Sequence, residues 1–328
     1  MKRQATGMRE VLLVWAIYAA VAVAVFVTYA WVSPTEMYNV SHDGLAGAAS
    51  RTLVFSNYSM SLVALALLGF AMARLLEQPD MDRRRRMAIA TVGIVAAALS
   101  LVTALPGVVD QGDLDAKPVN ALPALGVAIA FGLTVAAIRA GGIGPALPWR
   151  RRDTIGLGAI AVLVVFGLPW ILADLGIYIG DILGIGSIVM SKELPESGGT
   201  LRAVHLGHHH GLDGILFAVS ALILARGLSQ LTPGRLRFGL SWYLALMLPY
   251  GVGNALNDGW HEQVVKRGWT DWRIPEMLRP ELTTAWLLIV LATVVGWFSI
   301  FRPEASASHR PTEHLEGGAG LGTSGGLV

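Results

Sequence analysis

The chain has 328 residues, 54% of them hydrophobic and only 15% charged, with a formal net charge of +2. That composition departs from ordinary soluble usage, and the absence of cysteine excludes disulfide staples, thiolate zinc sites and cysteine nucleophiles. A balance this near neutrality gives no reason to expect a nucleic-acid partner, so the basic residues read as topological markers and lipid-headgroup contacts.

The apolar residues come in long runs. A hydrocarbon core of about 30 Å needs about twenty apolar residues per helix, and eight segments meet that requirement, at 11–32, 60–76, 87–109, 121–139, 155–179, 212–228, 240–256 and 282–301. None alternates with period two, and a helix satisfies its own backbone hydrogen bonds in lipid. The expected fold is therefore all-α, a polytopic membrane bundle of eight transmembrane helices. The first segment follows Lys2, Arg3 and Arg9 as a signal peptide would. Its apolar run is longer than a signal core, so it reads as an uncleaved helix.

Charge placement predicts the orientation. With the amino terminus in the cytoplasm, the inner side receives Lys2, Arg3, Arg9, Arg74, the run Arg83 to Arg86, Arg139, Arg150 to Arg152, Arg226, Arg235, Arg237, Arg302 and Arg310, most of the 25 basic residues. This agrees with the positive-inside rule and puts both termini in the cytoplasm. The preference for Arg over Lys and the abundance of Ala, Val and Gly suggest a GC-rich bacterial genome, hence a bacterial inner membrane. Most histidines and acidic residues fall on the outer side, which is where chemistry is expected.

Two halves of four helices are legible. Ala73-Arg74 through Pro79 closes the second segment as Ala225-Arg226 through Pro233 closes the sixth, and Leu105-Pro106 near the end of the third matches Leu248-Pro249 in the seventh. The expected division is an amino-terminal half at 1–153, a carboxy-terminal half at 154–301 and a disordered cytoplasmic tail at 302–328. Four helices per half would make the repeat parallel, related by an axis along the membrane normal.

Six residues, His205 to His210, hold four of the eight histidines, at the mouth of the sixth segment. Continued as helix, His205, His209 and Asp213 fall on one face, because residues three and four apart are neighbours on a helix surface. The seventh segment offers Asn254, Asp258, His261 and Glu262 at similar spacings. Segments six and seven are joined by a short inner connection around Pro233, so they should pack as antiparallel neighbours with outer ends together. The candidate metal ligands are thus His205, His209, Asp213, Asp258, His261 and Glu262. Asp174 in the fifth segment and His42-Asp43 in the first outer loop are further candidates for the same region.

Neutral imidazole binds zinc, copper and iron, and a carboxylate completes the first shell or orients a ligand's other nitrogen. Three readings follow. The cluster holds a transition metal or haem for a membrane enzyme or redox protein; or Asp174, Asp213 and Asp258 carry protons in a proton-coupled permease with a helix break at Pro249; or the cluster is structural in an assembly or scaffold protein. The bilayer is the expected partner. Three tryptophans with Lys266, Arg267 and Arg273 in the loop 259–280 suggest a lid lying on the membrane, and Trp31, Trp149 and Trp242 suggest headgroup anchors. Eight helices in a four-plus-four arrangement with outer histidines resembles the haem A synthase class, which implies membrane-embedded haem held by paired histidines. This chain lacks that class's histidines in segments two, four and eight and its outer-loop cysteine pair, so no residue role is carried over. The triple histidine also resembles the copper-side histidines of haem-copper oxidases, which have more helices.

Overall fold

The structure, a computed structural model, describes residues 8–31, 41–105, 107–109, 115–174, 210–265, 268–275, 277–278 and 280–302. Every regular element among them is helical. Eight helices follow in order: α1 Met8–Trp31, α2 Gly44–Leu76, α3 Arg83–Leu101, α4 Ala121–Gly141, α5 Arg151–Asp174, α6 His210–Gly227, α7 Arg235–Trp260 and α8 Thr284–Gly296. Six of the eight, counted with their short 3₁₀ and π extensions, are long and apolar enough to cross a membrane. Of the other two, α7 holds Arg235, Arg237, Asn254, Asn257 and Asp258, while α5 opens on Arg151, Arg152 and Asp153 and is apolar beyond that first turn as far as Asp174. The chain is a helical membrane bundle.

Local sequence accounts for the helix limits. The Asp82 carboxylate caps α3 by accepting from the Arg85 N–H at 2.7 Å. Pro118 opens the 3₁₀ turn that leads into α4, where its missing N–H has no cost. At the other end of α4, Gly142 takes φ +74°, the left-handed conformation that stops a helix. The Thr283 hydroxyl accepts from the Trp286 N–H at the start of α8.

Two helices differ from the sequence reading. The second is expected to begin at residue 60, but α2 starts at Gly44 and includes a π turn over Ser56–Met60. One extra residue in that turn rotates the helix face, so that Asn57, Tyr58 and Ser59 are all buried. Polar residues had masked this stretch as loop, whereas tertiary burial holds it helical. Pro249 lies inside α7 and does not break it: the helix runs on to Trp260 and continues as a π turn through Val265. Loss of one N–H bends or weakens a ladder without ending it when neighbouring helices hold both sides.

The helices at the centre are α2 and α6. Buried residues make up 83% of the membrane window of α6 and 67% of that of α2, against 22% for α3 and α8. The outer faces of α3, α5 and α8 present Ile94, Val165, Leu287 and Leu291 outward. Exposed apolar residues on the faces of three long helices belong against lipid tails. α1 packs on the first part of α2 and on α6; α2 packs on α3, α4 and α7; α5 lies on α6; and α6 and α7 form the most extensive pair, with α8 against α7. α4 lies along both α2 and α3, and α8 lies along α7. Trp242, expected at the headgroup level, is stacked on Trp297 of the π turn ending α8, with ring centroids 4.6 Å apart.

The α6–α7 contact is backbone against backbone. A Cβ on Gly214 would stand 2.4 Å from the Gly251 carbonyl oxygen, and one on Gly251 would stand 2.5 Å from that of Gly214. Without a hydrophobic force between helices in lipid, such small-residue contacts are how helices gain close packing.

Ion pairing identifies a common arginine-rich end. Arg74 donates to the Gly141 carbonyl at 2.6 Å, joining the ends of α2 and α4. Arg226, at the end of α6, approaches Glu10 at the start of α1 (3.6 Å) and Asp153 at the start of α5 (3.8 Å). At the opposite end, Ser41 donates its N–H and hydroxyl to Asp115, and Ser50 accepts from the Ala116 N–H.

Candidate functional site

The close α6–α7 contact sets the level of the candidate site. Gly214 touches Gly251 and Ala255, so Asp213, its neighbour in sequence, sits beside the α7 turn that leads to Asp258. Both carboxylates are in the bundle interior, Asp213 2% exposed and Asp258 5%. Burying a carboxylate is costly unless a proton, a cation or hydrogen-bond donors meet it, so two on touching helices mark a place where charge is managed.

Of the other expected ligands, His205 and His209 lie outside the described residues. His210 is the first residue of α6, so the histidine run enters the helix one turn before Asp213. The side chain of Glu262 is also outside the described set. His261 follows Asp258 by three positions and is half-buried, with its ring Nε2 3.2 Å from the Ile274 carbonyl oxygen. A carbonyl only accepts, so Nε2 carries the hydrogen and, in the neutral ring, Nδ1 keeps its lone pair. Metal-bound histidines are commonly oriented by such a backbone carbonyl. Among the described residues no group of three or more His, Asp or Glu is close enough to hold a metal ion.

Below the two aspartates lies a buried polar set drawn from four helices. The Tyr58 hydroxyl, on the π turn of α2, hydrogen-bonds the Tyr250 hydroxyl of α7. Tyr250 in turn donates to the Leu278 carbonyl at 2.9 Å, and Asn254 donates to the Tyr250 carbonyl at 2.8 Å. Phe217 of α6 packs edge-on against Tyr58 and tilted against Tyr250. Tyr18 of α1 is fully buried beside Ser59 and Ser220, and Asp213 is within electrostatic reach of both Tyr18 and Tyr250. No family model, curated protein or solved structure matches this chain.

The segment after α7 is tied to that helix. Asn257 donates to the carbonyls of Ile274 and Pro275, and the Trp260 indole donates to the Trp272 carbonyl at 2.9 Å. Trp260 and Trp272 also meet edge to face at 5.1 Å, while Trp269 and Trp272 remain exposed. The expected tryptophan lid is thus a strap pinned along α7 by Asn257, Trp260 and His261.

Other sequence candidates go elsewhere. His42 stands 4.0 Å from Asp115 near the start of α2, and both are away from the α6–α7 contact in the exposed link between α2 and the turn before α4. Asp174 ends α5, and its side chain lies outside the described residues. Missed by the sequence reading are Tyr18, Tyr58 and Tyr250, together with Arg51, which is 2% exposed with its guanidinium 5.6 Å from the Tyr29 ring centre. The available signal was tyrosine well inside apolar segments, where a hydroxyl needs a buried partner.

Proposed function

We propose that the chain is a multi-pass bacterial inner-membrane protein with both termini cytoplasmic, whose chemistry takes place at the outer ends of α6 and α7 as a metal- or haem-dependent membrane enzyme or redox protein. The ligands are drawn from His205, His209, Asp213, Asp258, His261 and Glu262. The observation that carries this reading is the glycine-to-glycine contact at Gly214 and Gly251, which packs together the two helices that carry the buried carboxylates Asp213 and Asp258. The His261 ring, held by a carbonyl through Nε2, adds support. Imidazole with carboxylate suits zinc, copper or iron, and such an ion would supply Lewis-acid or redox chemistry there.

The test is metal and haem content of the purified protein beside a His205→Ala/His209→Ala variant of the same purity. Near-stoichiometric metal or haem in the parent and its loss in the variant are expected. Equal, negligible content in both would overturn the reading.

The buried polar set favours a second reading, proton handling. Asp213, Tyr18, Tyr250 and Asn254 put polar and ionisable groups near one another inside the bundle, which a proton-coupled carrier would require. It predicts pH-gradient-driven solute movement in liposomes, abolished by Asp213→Asn while metal content stays negligible.

A further inference from the structure

A cleft of about 700 Å³ runs between α1, α5 and α6. Its walls are apolar, with Ile17 and Val21 on one side, Ile160 and Val164 opposite, and Val219 and Ile223 at the back. The cleft reaches along α1 from Glu10 to Val25, about 22 Å at the helical rise per residue, more than the roughly 15 Å of one hydrocarbon leaflet. α1 and α5 make little direct contact, so the cleft lies open along its side to the bilayer.

Its arginine-rich end differs in kind. Arg9, Arg152 and Arg226 stand there with Glu10 and Asp153, three guanidiniums against two carboxylates. Arg226 bridges both carboxylates, and its guanidinium lies 4.8 Å from the centre of the half-exposed Trp149 ring. The rim is therefore cationic overall, at the depth where an amphipathic indole marks the headgroup region. A surface-exposed arginine such as Arg9 suits a phosphate, whose oxygens accept from the guanidinium fork.

We infer that this cleft is a site for one anionic phospholipid of the leaflet at the arginine-rich end, with its phosphate at the Arg9 and Arg152 rim and an acyl chain between α1 and α5. Charge and shape argue together: an apolar slot open to the membrane admits a chain, and a cationic mouth selects its head.

Gly156 lines the cleft, and a Cβ added there meets nothing within 4 Å, so Gly156→Phe has room to place its ring in the slot. The full chain is exchanged into micelles carrying equal amounts of dioleoylphosphatidylglycerol and dioleoylphosphatidylcholine, and lipid retention is read by native mass spectrometry. The parent should keep one phosphatidylglycerol. Gly156→Phe should keep about tenfold less, the equivalent of losing burial for two methylenes, with unchanged helicity and elution volume. Arg9→Gln/Arg152→Gln should lose the preference for the anionic lipid while still admitting a chain. Equal retention by the parent and Gly156→Phe, equal retention of both lipids by the parent, or a parent that carries no lipid would overturn the inference.

Discussion

The hydroxyl of Tyr58, on a π turn in α2, meets the hydroxyl of Tyr250 in α7, and this bond links the first four helices to the last four inside the bundle. Phe217 fills the angle between the two rings. The turn is what permits the bond, because a regular helix over the same residues would carry Tyr58 about 100° round the axis. Tyr58→Phe and Tyr250→Phe should each lower thermal stability in detergent, and the double variant should cost less than the sum. A coupling of about 0.5–1.5 kcal/mol is expected, and strict additivity would remove the bond from the account.

Gly214 and Gly251 should be intolerant of any side chain. In both directions the obstacle is backbone, so neither helix can yield by turning a rotamer. Gly214→Ala and Gly251→Ala are each expected to cost about 1–3 kcal/mol by overpacking. Each should also separate Asp213 from Asp258 and, under the proposed function, lower the metal content of protein that still folds. Ala substituted at Gly132, where space is open, is the control and should be neutral in both measurements.

Ligand histidines must be deprotonated to bind, so metal retention should fall as pH drops through about 6.5, the ordinary histidine value. The sign follows from competition between proton and metal for the same lone pair. Metal content measured after dialysis at a series of pH values checks this. Retention unchanged down to about pH 4 would point to carboxylates alone.

Arg226 should be the charge on which the arginine-rich end depends. It lies between Glu10 and Asp153, whose side chains are 10% and 6% exposed. Arg226→Ala leaves both carboxylates buried without that partner, and a loss of about 1.5–3 kcal/mol is expected for a charge-assisted contact. Arg226→Lys should recover only part of it, since an ammonium is a point charge and cannot address two carboxylates and the Trp149 face in one geometry. Thermal melts of the three proteins in the same detergent give the order directly.

Each of the eight helices overlaps an apolar run of the sequence, and six of them meet the length and apolarity that a bilayer requires of each segment alone. The arginine groups mark one common end in the same local way, and the Arg74–Gly141 and Arg226–Asp153 contacts agree with it. The pairing of α6 with α7 was legible too, because the connection around Pro233 is short. The extension of α2 back to Gly44 was not, since Asn57, Tyr58 and Ser59 read as polar loop until burial against α6 and α7 is known.

The sequence by itself determined the class of fold, the helix boundaries to within a few residues at most ends, and the concentration of four histidines in the six residues that lead into α6. Only the tertiary structure decided which polar residues are interior. Tyr18, Arg51, Tyr58 and Tyr250 are distant in the chain and unremarkable in composition, yet the first three are buried and Tyr250 is half-buried where α1, α2 and α7 come together with α6. Burial is a property of the helix faces that meet, and contacts between residues as far apart as Tyr58 and Tyr250 leave no periodic trace in either segment.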